Sequence, residues 1–114
     1  MTPIILSFDC TDYDPIDSWL FPEPKSVDFW MNFTIGLDQR GGNDFQLHIL
    51  TTEMVQNNTS LNNAIVLDCY SWDAVRLKVN EILDQCSGEN WEDICSKLSQ
   101  KMAWEYENYQ PYSF

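Results

Sequence analysis

The chain has 114 residues, of which 44% are apolar and 14% aromatic; 18 Asp and Glu face 6 Lys and Arg, for a net charge of −12. That length bounds a single domain, residues 1–114, and the apolar share excludes a disordered chain despite the charge. The charge itself excludes direct binding of nucleic acid or an anionic membrane and favours a basic partner, with plain solubility as the competing explanation.

Residues 4–9 read as a first strand, with alternating apolar positions. Residues 11–24 carry three prolines and a run of acids and read as a loop, with Trp19, Leu20 and Phe21 as an apolar plug against the sheet edge or as a contact surface. Asp9, Asp12, Asp14, Asp17 and Glu23 all precede Lys25, the first basic residue. Residues 27–37 have the clearest pattern. Val27, Phe29, Met31, Phe33, Ile35 and Leu37 share one face, and Asp28, Asn32, Thr34 and Gly36 the other, as in a long half-buried strand. Trp30 breaks the pattern by lying on the polar face, where it serves as an interface anchor or is covered by the 11–24 loop. A turn is expected over 38–43 and a return strand over 44–51, giving an antiparallel hairpin.

Residues 53–63 read as a polar connection that starts in one helical turn, and 64–69 as a fourth strand. Ser71 then caps a helix whose buried stripe is Val75, Val79, Ile82, Leu83 and Cys86, ending at Ser87-Gly88. A second helix starts at Asn90, with the stripe Trp91, Ile94, Cys95, Leu98, Met102 and Tyr106, and is expected to run until Pro111 stops it. Four strands followed by two helices give an α+β fold: a four-stranded antiparallel sheet with a C-terminal helical hairpin packed on one face.

Catalytic equipment is sparse. The single histidine, His48, falls mid-strand on the polar face, and Cys10, Cys69, Cys86 and Cys95 read as small core residues, so a Cys–His pair is not expected. No two cysteines have C-x-x-C spacing, and no cationic and apolar leader opens the chain, so the expectation is a cytoplasmic protein with free thiols. Asp9, Asp12 and Asp14 lack the glycine and distal glutamate of a calcium loop. Glu105 and Glu107, two apart, cannot serve one site from one helix. No metal or cofactor is implied. What remains is the profile of a non-enzymatic binder, with Asp9, Asp12, Tyr13, Asp14, Asp17, Trp19, Asp28 and Trp30 as its candidate contact residues.

Two stretches bear a resemblance. "FTIGLDQRGGNDFQLHILTTE" and "YSWDAVRLKVNEILDQCSGENWEDICSKLSQKMAWEYENY" resemble the hairpin and the C-terminal half of the immunity protein 8 family. The resemblance is carried by Ile35, Gly36, Phe45, Cys86, Gly88, Trp91, Leu98, Trp104, Glu105, Tyr106, Glu107 and Tyr109, with Asn108 where a carboxylate is expected. Of these, Gly36, Phe45, Trp91, Trp104, Glu105, Tyr106 and Tyr109 read as scaffold. The resemblance implies an immunity protein of a bacterial polymorphic-toxin or contact-dependent growth inhibition system. Such a protein binds the C-terminal toxin domain of its own system and blocks it in the cytoplasm. A basic nuclease-type toxin would suit the charge. The residues alone leave open an acidic adaptor or nucleic-acid mimic with another basic partner and, more remotely, a carboxylate-using hydrolase. They leave the oligomeric state undetermined.

Overall fold

A computed structural model describes residues 1–104. Its sheet has the order β1-β2-β3-β4, built from β1 (Ile4–Asp9), β2 (Asp28–Asp38), β3 (Gly41–Thr51) and β4 (Ala64–Leu67). Helices α1 (Trp72–Gln85) and α2 (Trp91–Leu98) follow it. This is the expected α+β arrangement, with the helices C-terminal to these four strands.

The alternation of β2 decides everything above and below it. Phe29, Met31, Phe33 and Ile35 are at most 4% exposed and pair with Ile49, Leu47, Phe45 and Asn43 of β3. Paired residues share a face, so these side chains form one inner surface, continued by Ile65 and Leu67 of β4. Val75, Val79 and Leu83 of α1 and Ile94, Cys95 and Leu98 of α2 close the core from the other side. Both helices start as the sequence indicates. The Ser71 hydroxyl accepts from the Ala74 N–H at 3.0 Å, and Asn90 Oδ1 accepts from the Asp93 N–H at 2.8 Å.

The hairpin turn is shorter than the sequence suggests. Asp38 already pairs with Gly41, leaving only Gln39 and Arg40 between the two strands. Gly41, Gly42, Asn43 and Asp44 therefore belong to β3 rather than to a turn. The glycines permit this: Gly36 and Gly42 face each other, and a Cβ on Gly42 would run into the Ile35 carbonyl, while one on Gly36 would run into the Gly41 carbonyl.

Three further expectations are corrected. β4 joins β3 in parallel, whereas the other pairings are antiparallel. The 52–63 connection has about the dozen residues a parallel crossover requires, and it opens in the expected turn of helix at Thr52–Met54. Because β4 ends at Leu67, Cys69 is exposed rather than a core residue; Cys10, Cys86 and Cys95 are buried. Finally, α2 ends at Leu98, not near Pro111. The Lys101 and Met102 N–H groups both return to the Leu98 carbonyl, at 2.9 and 2.8 Å. Ala103–Trp104 then forms a short strand, β5, antiparallel to β3 at Phe45 and Gln46, so the sheet has five strands rather than the expected four. Four residues of β4 cannot cover the eleven of β3, and the unpaired backbone of β3 takes up β5. Met102 is fully buried, so its helical spacing from Leu98 was a true burial signal with the wrong local structure. Trp104 stacks on Phe45 with centroids 6.3 Å apart. Glu105, Tyr106 and Tyr109, assigned to the scaffold from the sequence, lie outside the described residues.

Candidate functional site

The face of the sheet opposite the helices is where the polar positions of three strands meet. Register places Trp30 against His48, Asn32 against Gln46, Thr34 against Asp44, and Asp9 against Asn32. The side chains join across the strands. Asn32 Nδ2 donates to Asp9 at 2.7 Å, and Gln46 Nε2 donates to Asn32 Oδ1 at 2.9 Å. The Thr34 hydroxyl donates to Asp44 at 2.6 Å. Toward the other end, His48 Nε2 and Asp28 Oδ1 lie 2.5 Å apart, and the imidazole is stacked flat against Trp30, with centroids 4.9 Å apart and 7° between planes. These links hold the carboxylates in place on a surface that is open at Trp30 and covered at Leu50, the partner of Asp28. Part of it is a shallow depression of about 360 Å3 lined by Asp9, Asn32, Thr34, Asp44 and Gln46 together with Ser7, Phe8 and Phe45.

Two properties set this face apart. Trp30 is 45% exposed, so an aromatic plate stands among carboxylates, its inner side fixed by His48. The charge has one sign: Asp9, Asp28 and Asp44 belong to it, and β1 to β4 contain no Lys or Arg. At the hairpin turn Arg40 is engaged by Asp38 at 2.6 Å. That side-chain hydrogen bond is the main reason the Asp38 carboxyl is held below its usual range. Arg76, Lys78, Lys97 and Lys101 lie on the helical half of the chain. The arrangement can receive cations and a stacking group. The Cys86 and Cys95 thiols are poorly suited to nucleophilic work, because burial pushes both up and disfavours the thiolate. Among the described residues no three His, Cys, Asp or Glu side chains are grouped to hold a metal ion.

The structure divides the candidate contact residues into two groups. Asp9, Asp28 and Trp30 come together on the outer face, which the 11–24 loop leaves open at Trp30. Asp12, Tyr13, Asp14, Asp17 and Trp19 sit on that loop, which is anchored on the inner side of the sheet. Tyr13 is half-buried, 5.4 Å from Phe29 and 4.8 Å from Phe21, and Phe21 packs on Tyr70 at 4.7 Å. Ile16 is buried beneath the loop, and the Tyr70 N–H donates to the Pro24 carbonyl at 2.7 Å. Asp12, Asp14, Asp17 and Trp19 remain exposed. Of the expected apolar plug only Phe21 packs inward; Leu20 is 90% exposed, and Tyr13 and Ile16 do the anchoring instead.

Asn32, Asp44, Gln46 and His48 belong to the outer ladder but are not among the candidate contact residues read from the sequence. Their signal was present in the alternation of the two strands. Combining it across the hairpin needed the register, and that depends on the length of the turn.

The immunity protein 8 family model matches residues 4–109, nearly the whole chain, and the chain belongs to that family. No curated protein and no solved structure matches it significantly. Among the described residues no helix is long and apolar enough to cross a membrane.

Proposed function

We propose that this member of the immunity protein 8 family neutralises the toxin domain of its own system by binding it one-to-one, in the cytoplasm, through the outer face of the sheet. The observation that supports this most is the fixed, single-sign ladder of Asp9, Asp28 and Asp44 around the exposed plate of Trp30. A surface held rigid before contact loses little entropy on binding, and a half-exposed tryptophan is the kind of anchor on which interfaces concentrate their energy.

The charge favours a basic toxin of nuclease type. An enzyme that cuts nucleic acid must present cations to the phosphate backbone, and an acidic face lying over them excludes the substrate without any chemistry of its own. In this reading Asp9, Asp28 and Trp30 make contact. Asp12, Asp14 and Asp17 on the neighbouring loop steer the encounter. Trp19 lies at the margin, and Tyr13 keeps the loop in shape.

The test is co-expression with the toxin domain encoded by the adjacent reading frame, followed by co-purification and an assay of toxin activity. Recovery of a one-to-one complex that lacks activity is the expected result. Recovery of a DNA-binding protein in its place would favour an acidic adaptor.

A further inference from the structure

The two edges of the sheet are treated differently. The β1 edge carries the devices by which natural sheets refuse additional strands. Pro3 precedes it, its register against β2 shifts between Ile5 and Ser7, and Asp9 ends it. The segment before it is tied to the connection between α1 and α2, with the Met1 ammonium donating to the Gly88 carbonyl at 2.9 Å. β4 has none of these. Its sequence is Ala64-Ile65-Val66-Leu67, without charge or proline, and its register with β3 is unbroken. Among the described residues no strand pairs with its far side.

The direction of its backbone groups follows from one hydrogen bond. The Asn63 carbonyl accepts from the His48 N–H at 2.9 Å, so Asn63 turns toward β3. By two-residue alternation Ile65 and Leu67 do the same, while Ala64 and Val66 turn their N–H and C=O groups outward. The side chains of Ala64 and Val66 pair with His48 and Leu50, on the face that carries Trp30 and Asp28. The edge therefore lies beside the docking face, with His48 and the fully buried Leu50 between it and Trp30 and Asp28. Beside it opens a cleft of about 470 Å3 lined in part by Leu61, Val66, Lys78, Ile82 and Lys101. Leu61 and Val66 are exposed there.

We infer that an extended segment of the toxin domain adds to the sheet along β4, hydrogen-bonded to the outward groups of Ala64 and Val66. Lys78 is already paired with Glu81 at 3.9 Å, so it is Lys101 that favours a segment carrying a carboxylate. This inference rests on the functional reading above. A second copy of the chain is the poorer occupant. Two chains of charge −12 repel each other, and a four-residue edge alone falls far short of the roughly 800 Å2 per partner of a stable interface. The toxin adds the edge to a face that it already holds.

Val66→Pro tests this, because it deletes an outward N–H and leaves the β3 ladder intact. It should weaken binding of the toxin domain from the adjacent reading frame about tenfold, the worth of one or two hydrogen bonds, while Val66→Thr binds like the unaltered chain. Hydrogen exchange on the unaltered protein gives a second reading that does not depend on the variant folding. The Ala64 and Val66 amides should exchange at least about tenfold more slowly in the complex than in the free chain. If the unaltered chain does not bind the toxin domain, the functional reading has failed. If it binds but those amides are not slowed and Val66→Pro keeps full affinity, strand addition alone is overturned. A dimer of the free chain that Val66→Pro dissolves would give the edge to a second copy and overturn it equally.

Discussion

Trp30→Ala separates what the outer face does for binding from what it does for folding. A tryptophan side chain carries up to about 250 Å2 of surface. In the free protein Trp30 is 45% exposed, so about 110 Å2 is available to a partner, worth about 2.8 kcal/mol at ~25 cal/mol per Å2. Truncation should therefore weaken toxin binding about 100-fold, mostly through faster dissociation. The buried side of the ring rests on His48, a contact worth about 1 kcal/mol, so Tm should fall by only about 5 °C. Titration calorimetry and surface-based kinetics with the toxin domain give the affinity, and a thermal melt gives the stability. Leu77, 58% exposed on α1, provides the contrast: Leu77→Ala should leave affinity unchanged. Toxin affinity for a folded Trp30→Ala protein within about threefold of the unaltered chain would refute the reasoning, since an anchor of this size cannot be that cheap to lose.

Asp9→Asn combined with Asp44→Asn should slow association about tenfold at low salt and change dissociation little, and the difference should shrink as salt screens the face; stopped-flow mixing at several ionic strengths measures it. Gly42→Ala should cost about 3 kcal/mol in urea unfolding, because its Cβ meets the Ile35 carbonyl; a loss below about 1 kcal/mol would mean that the hairpin closes differently. Burial, then the charges of Cys10 and Asp17, pushes the Tyr70 hydroxyl up to about 12. The folded chain thus keeps a proton that the unfolded chain, titrating near pH ~10, has lost. This contribution to stability is full below about pH 10 and falls away toward about pH 12; urea midpoints across that window should show the decline, and Tyr70→Phe should flatten it.

Much of the fold could be read from local pattern. The eleven-residue alternation around Phe33 and the caps at Ser71 and Asn90 are local signals; they gave the expected strand and the expected starts of both helices. The misread features are those decided by distant partners. Nothing near residue 98 says that the chain should leave its helix; the unpaired backbone of Phe45 and Gln46, more than fifty residues earlier, decides it. The direction of β4 is set by a crossover, not by the four residues in the strand. The outer face was half legible for the same reason. Trp30 stood out as an apolar residue at a polar position, whereas Asp44, Gln46 and His48 join it only through a register fixed by Gly36 and Gly42.

The central claim is neutralisation by stoichiometric occlusion, and titration of toxin activity tests it most directly. A fixed amount of toxin domain, held well above the dissociation constant, is mixed with increasing amounts of this protein, and residual activity is measured. The account predicts a linear fall that reaches zero at one molecule per toxin domain. Activity that survives several-fold excess, or that disappears at a small fraction of equivalence as an enzymatic inactivator would achieve, contradicts it.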